Sequence, residues 1–408
     1  MRDARGVPFI MKILYHHRTT ASDGSAVHID GLTSALRALG VEVVMIEPPM
    51  ARRGAAAVSS SSLVALRQQL PHWLHELLEL FYNVPEWLRL RAAIARHRPD
   101  VIYERSNLYL LSGIITARAS RIPIIEEVNS PLFIERSEHG GISLVSLARW
   151  SERWAWKQAD AVVTVTQVLA DIVAGVRGAS GSIEVMPNGV DRKLFASDLI
   201  ERHAKRKLHL EGKTVLGFTG FVRDWNGLEQ VIDMLPYLRP EVVLLIVGDG
   251  PARSSLERRA RTAGVADRTI FTGVVARDAI APLISAFDIA LQPAANPYAS
   301  PLKLFEYLAL GRVILAPDQP NVREVLTHAV NAWLFDPGEP ASMQRGIERL
   351  LDDGDARQRL ALAALNTIDE RELTWERNAE RVLELARRLS GGVAGTSPAA
   401  QSTAYRPH

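Results

Sequence analysis

The chain has no cysteine at all. Disulfides, thiolate metal sites and cysteine nucleophiles are thereby excluded together, and a reducing compartment is expected. No stretch approaches the roughly 18 to 20 uninterrupted apolar residues that a membrane-spanning helix needs. Neither charge sign dominates: 48 basic against 46 acidic residues leave a formal charge of +2, so a nucleic-acid binder working through a broad positive field is not expected. The Gly-x-Ser-x-Gly, His-Glu-x-x-His and P-loop patterns are missing, which removes the commonest signatures of hydrolases, zinc peptidases and nucleotide triphosphatases. Asp353-Gly354-Asp355 reads as a solvated acidic turn, and no metal site is expected.

What is present is a long apolar-rich chain, 408 residues with 47% hydrophobic, more than one core usually serves, so two domains are expected. Residues 1–10 carry Asp3 and read as a loose leader. Residues 391–408, rich in Gly, Ser, Ala, Thr and Pro, read as a disordered tail.

Between them, short β-branched runs alternate with longer helical patterns. The strands predicted in the first half are 13–15, 41–46, 101–103, 122–125, 161–165 and 183–186. Those in the second half are 215–218, 242–247, 270–272, 289–292, 313–316 and 333–335. Such alternation implies an α/β protein with two doubly wound, Rossmann-like domains facing each other across a cleft. The expected boundaries are 11–195 for the first domain, 196–372 for the second and 373–390 for a final helix packing across them. Residues 63–98 break the alternation with a long helical pattern carrying Trp73, Phe81, Trp87 and Leu88, flanked by Arg52, Arg53, Arg67, Arg89, Arg91, Arg96 and Arg98. Two readings stand for it: a helical hairpin folded on its own domain, or a basic surface leaning on an anionic membrane.

Doubly wound sheets bind ligands at the carboxyl ends of their strands. The most informative such place is Ser300-Pro301-Leu302-Lys303-Leu304-Phe305-Glu306, where Ser300 is expected to cap a helix that Gly311 ends and whose free N–H groups favour an anion. Lys303 and Glu306 share one face of it. In the loop after the second domain's first strand, Gly220 ends the strand, Arg223 offers a fork of donors suited to phosphate, and Gly227 opens a helix. Gly24, in the loop after the chain's first strand, permits close backbone approach to a ligand. Val274 and Val275 follow another strand and can cover the face of a base.

These segments, with Ala159-Asp160-Ala161-Val162-Val163-Thr164-Val165-Thr166, Met186-Pro187-Asn188-Gly189-Val190-Asp191 and Val247-Gly248-Asp249-Gly250-Pro251, resemble the retaining nucleotide-sugar glycosyltransferases of family 4, whose two-domain architecture is called GT-B. The resemblance runs from about Lys12 to Leu389. It implies that Glu306 holds the donor ribose, that the main chain of Ser300, Pro301 and Leu302 faces the diphosphate and sugar, and that Arg223, with Lys303, neutralises the diphosphate. Gly24 and Gly220 would approach the phosphates, with Val274 and Val275 beside the base. On the acceptor side it points to His16, Ser25 and Asn129. Three positions depart from the family pattern: Tyr298 stands where a Glu usually reaches the donor sugar, Asn226 where a Lys is usual, and Asn129 lies where many members place a His.

A cytoplasmic hexosyltransferase, at the inner membrane face if the basic surface reading holds, is therefore expected. It would use a nucleotide-diphosphate sugar as donor substrate, a lipid-linked or cell-surface glycan as acceptor, and no cofactor. The alternatives are a sugar-nucleotide epimerase on the same fold, or a degenerate GT-B subunit that binds without turnover.

Overall fold

A computed structural model describes residues 10–20, 24–48, 71–138, 141–178, 181–195, 201–339 and 341–391. Leader residues 1–9, tail residues 392–408, positions 196–200 at the join, and Arg52, Arg53 and Arg67 lie outside these.

The first sheet is built from β1 (Lys12–His16), β2 (Glu42–Ile46), β3 (Val101–Arg105), β4 (Ile124–Val128), β5 (Ala161–Thr164) and β6 (Ser182–Val185). The second holds β7 (Thr214–Thr219), β8 (Val242–Val247), β9 (Thr269–Phe271), β10 (Ile289–Leu291), β11 (Val313–Pro317) and β12 (Trp333–Phe335). Their orders are β2-β1-β3-β4-β5-β6 and β12-β11-β10-β7-β8-β9, and every pairing is parallel. β8, Val-Val-Leu-Leu-Ile-Val, is buried at every position, as a strand covered by helices on both faces must be. In the second sheet the order reverses between β7 and β10, and the loops leaving these two strands flank that switch point. A crevice for a ligand opens at such a place.

β3 and β4 run two and three residues beyond their predicted ends, through Glu104-Arg105 and Glu126-Glu127-Val128. Charged residues normally end a buried strand. Here they pair across the sheet instead, Glu104 beside His16 in register and Arg105 beside Glu127, which offsets the desolvation that the sequence pattern warns of.

Residues 72–97 form two helices, His72–Phe81 and Asn83–His97, broken at Tyr82 rather than continuous. The helix pair packs on its own domain: Leu90 and Ala93 join the core above β3 and β4, Leu80 lies against Leu108 and Tyr109, and buried Glu76 accepts from the Tyr109 hydroxyl. Trp73, Leu78, Phe81, Val84 and Leu88 remain exposed. The final helix, Trp375–Ser390, leaves the second domain and seats Trp375, Val382, Leu383 and Leu385 in the core of the first. Each such side chain contributes about 1.5–3 kcal/mol on burial.

Candidate active site

The loop after β7 and the turn after β8 touch backbone to backbone. Gly220 N–H donates to Val247 O and Val222 N–H to Asp249 O, both at 2.9 Å. A Cβ on Gly248, which sits at φ +134°, would lie 2.1 Å from the Gly220 carbonyl oxygen, so no larger residue fits. This seam presents Arg223, whose guanidinium is stacked between the half-exposed rings of Phe221 and Trp225 at 4.7 and 4.8 Å. Both contacts hold it by cation–π attraction.

Across the switch point stands the helix Leu302–Ala309, capped at Pro301 with no side-chain hydrogen bond to its first turn. Ser300 does not cap it, correcting the expectation; its hydroxyl faces the Asn188 N–H at 3.5 Å instead. The helix N–H groups at this end lack a side-chain acceptor, and the helix dipole favours an anion there. Gly311 ends the helix at φ +57°, as its freedom from a Cβ allows.

Lys303 reaches from this helix over the Phe218 ring, Nζ 4.0 Å from the centroid. A Cβ on Gly220 would stand 3.3 Å from Lys303 Cε, so the glycine loop and the lysine share one spot. Burial pulls the ammonium down to about 7, against the attraction of Glu306. Glu306 is buried and accepts from Arg277 Nη1 at 2.8 Å; burial raises its pKa while Arg277 and Lys303 oppose the rise. Arg277 was not among the residues expected at the site. It opens the helix Arg277–Ile284, where a cation opposes the helix dipole, and that misfit was the available sign of a carboxylate partner.

The two domains meet at this loop. A Cβ on Gly24 would lie 3.3 Å from Leu302 Cδ1, and Leu302 packs on the first domain's core. Ser25 follows Gly24 into the same helix, Gly24–Ala38. Val275 packs on the second domain's core while Val274 is 88% exposed at the cleft-side loop after β9.

Two family models match the chain: "Glycosyltransferase Family 4" over residues 22–194 and "Glycosyl transferases group 1" over 200–367. The chain belongs to glycosyltransferase family 4. The 2-deoxystreptamine glucosyltransferase of Streptomyces kanamyceticus is 27% identical over 304 residues, 73% of each chain. A GDP-mannose-dependent α-(1-6)-phosphatidylinositol monomannoside mannosyltransferase of Mycobacterium tuberculosis is 28% identical over 58% of this chain and 60% of that one. Among solved structures, Anabaena HepE in complex with UDP superposes with a TM-score of 0.71 at 18% identity, covering 92% of this chain and 99% of that one. Sucrose-phosphate synthase of Thermosynechococcus elongatus gives 0.75 at 17%, covering 94% and 100%. The fold is GT-B and the protein is a nucleotide-sugar glycosyltransferase.

Three expected site residues of the transferase have side chains buried among other protein groups. His16 is buried, its Nδ1 2.5 Å from Glu104 Oε2 and its Nε2 3.8 Å from Glu86 Oε1, so it cannot meet an acceptor; as the last residue of β1 it points into the helix-covered face. Asn226 is buried and its Oδ1 accepts the Arg223 N–H at 2.7 Å, which makes it a brace for the Arg223 loop rather than a donor contact. Tyr298 is buried too, and its phenol is pushed up to about 12 by burial and by Glu135 and Glu138, carboxylates on the opposite domain. Asn129 stands at the end of β4 and donates to Glu127 Oε1 at 2.5 Å. Among the described residues no group of three or more His, Asp or Glu side chains is arranged to hold a metal ion.

Proposed function

We propose that the protein moves a hexosyl residue, with retention at the anomeric carbon, from a nucleotide-diphosphate sugar to a hydroxyl of a glycan or lipid-linked acceptor. The observation that carries this reading is the meeting at one switch point of Lys303, Gly220, the open start of the Leu302–Ala309 helix and the Glu306–Arg277 pair. Glu306, an acceptor fixed by Arg277, takes the ribose hydroxyls. Lys303 and the helix N–H groups take the diphosphate as it leaves, with Arg223 on its far side, and these fixed charges serve without a metal ion. Gly24 lets the backbone of the first domain approach the reacting phosphate. Retention asks for leaving-group stabilisation and an acceptor hydroxyl held on the same face, which a cleft with cations on one wall supplies.

Thermal shift with a panel of nucleotide-diphosphate sugars tests the donor half: the true donor at about 100 times its dissociation constant adds about 2.7 kcal/mol of stability. Turnover followed by NMR then reads anomeric configuration, and turnover that survives EDTA confirms that no metal is needed. An inverted product, or conversion of the donor with no acceptor present, would refute the reading.

For the acceptor, a second reading has its own support. Glu135 and Glu138 of the first domain act on the Tyr298 phenol of the second, and the Streptomyces relative is named a 2-deoxystreptamine glucosyltransferase, so a small amine-bearing acceptor fits as well. An acceptor screen with aminocyclitols and lipid-linked sugars separates the two. Membrane contact through Trp73, Phe81, Val84 and Leu88, beside Arg89 and Arg91, goes with the lipid-linked acceptor; co-sedimentation with anionic but not neutral vesicles would support it.

A further inference from the structure

The loop that carries Ser300 is held by the other domain. Asn188 Nδ2 donates to the Ser300 carbonyl at 2.6 Å, and the Thr166 hydroxyl donates to the Tyr298 carbonyl at 2.9 Å. Both side chains belong to the first domain and both are buried. A carbonyl oxygen can only accept, so the orientation of the Asn188 amide is fixed, and its Oδ1 is left facing His28. There His28 Nδ1 donates at 2.7 Å, while His28 Nε2 lies 3.0 Å from Glu127 Oε2. Trp375 packs edge-on against the His28 ring, centroids 5.0 Å apart, which keeps the imidazole in place. A strut of side chains therefore runs from β4 through the helix Gly24–Ala38 to the main chain of the donor loop. Thr166 forms a second, independent hold, its Oγ1 also accepting the Leu169 N–H at 3.2 Å at the start of the helix Gln167–Arg177. Glu324 of the second domain accepts from Gln167 N and Val168 N at 2.7 and 3.2 Å beside it.

We infer that Asn188 and Thr166 are positioning residues for the donor: Asn321 of the second domain holds the Asn296 and Ala299 carbonyls at 2.9 and 2.7 Å, the first domain holds those of Tyr298 and Ser300, and the loop completes its binding geometry when the two domains are apposed. This rests on the donor reading proposed above. Separating the domains breaks both hydrogen bonds and gives the two loop carbonyls to water, which does not hold them in one place, so donor binding and domain apposition reinforce each other. The interdomain bonds add to the hold of Asn321 on the Asn296 and Ala299 carbonyls and fix the last residues before the Leu302–Ala309 helix.

The test uses the full chain with UDP and GDP as binding probes, and UDP-glucose and GDP-mannose as donors. Asn188→Ala is expected to melt close to the wild type yet bind the nucleotide at least about tenfold more weakly, with donor KM raised and kcat changed less, since a buried carbonyl loses its partner. Thr166→Ser, which keeps the hydroxyl, is expected to bind like wild type, and Thr166→Val about tenfold more weakly. Unchanged binding and KM in folded Asn188→Ala, or equal behaviour of the two Thr166 variants, overturns the inference. Should Asn188→Ala fail to fold, the Thr166 pair decides the question alone. A wild-type chain that binds neither nucleotide overturns the donor reading itself and the inference with it, an outcome distinct from a wild type that binds and an Asn188→Ala that binds as well.

Discussion

At the end of β1, His16 is sealed between Glu104 and Glu86, and Arg18 donates to Glu86 from Nε and Nη2 at 2.8 and 2.6 Å. At the matching end of the second sheet, Lys303 lies over an aromatic ring and the Glu306–Arg277 pair stands at the crevice with the Arg277 side chain 38% exposed. The two domains share a doubly wound plan, and in both the charged residues gather where strands end. They differ in what answers the charges. In the first domain protein groups answer them on both faces of the sheet: His16 and Glu104 on one, Tyr103, Arg105, Glu127 and His28 on the other. In the second, the answering Arg277 is itself partly open to solvent. A charged strand end is thus a structural brace when its partners come from helices of the same domain, and a binding site when the topology reverses beside it and leaves a crevice.

Removing Glu306 should break the contrast most severely. Glu306→Ala is expected to lower kcat/KM by at least about a hundredfold, about 3 kcal/mol of lost transition-state stabilisation, while the protein stays folded because the Arg277 guanidinium can turn to water. Steady-state kinetics and a thermal melt read both halves.

His16 should do the reverse, moving stability and leaving donor binding alone. Burial works against its charge, but the hydrogen bond to Glu104 and the nearby Glu86 carboxylate outweigh burial and hold it at about 9. A raised folded-state pKa contributes stability that is fully present below the unfolded value near 6.5 and is lost as pH rises through about 9. His16→Gln is expected to cost about 3 kcal/mol at pH 6 and to flatten the alkaline fall of the melting temperature between those limits. An unchanged pH profile would remove the ion cluster as its source.

Lys303 sharpens the comparison from the ligand's side. With its ammonium held at about 7 by burial, the free protein carries this charge only in part at neutral pH, and a bound diphosphate would draw the proton on. Nucleotide binding is therefore expected to take up protons between pH 7 and 9 and to weaken by up to about tenfold per pH unit there. Calorimetry in buffers of different ionisation enthalpy measures the uptake, which Lys303→Met should abolish.

The smallest effect is expected at Arg223. Arg223→Lys keeps the charge but loses the planar stacking between Phe221 and Trp225, a change worth about 1 kcal/mol. Donor KM should rise roughly fivefold, with kcat little altered.

Much of this was legible in advance. Each of the twelve predicted strand runs overlaps an observed strand, because a fully covered parallel strand writes itself as an unbroken β-branched run. Gly220, Lys303, Gly24 and Leu302, singled out at strand ends, are brought together. His16, Asn226 and Tyr298 are buried, which the sequence did not foretell, since a polar residue in a strand-end loop carries no mark of whether its partner is a ligand or another side chain. Arg277, Asn188 and Thr166 went unassigned: their partners lie 29, 112 and 132 residues away, beyond the reach of any local pattern.

By itself the sequence determined the alternation of strand and helix, the two-domain plan, and the family, because apolar periodicity and glycine placement act over a few residues. Tertiary structure alone decided which carboxylate braces the core and which pairs with a partly exposed arginine, and that the first domain grips the loop before the Leu302–Ala309 helix. Those outcomes depend on desolvation and on hydrogen-bond partners that only folding brings within 3 Å, and a linear pattern does not encode that distance.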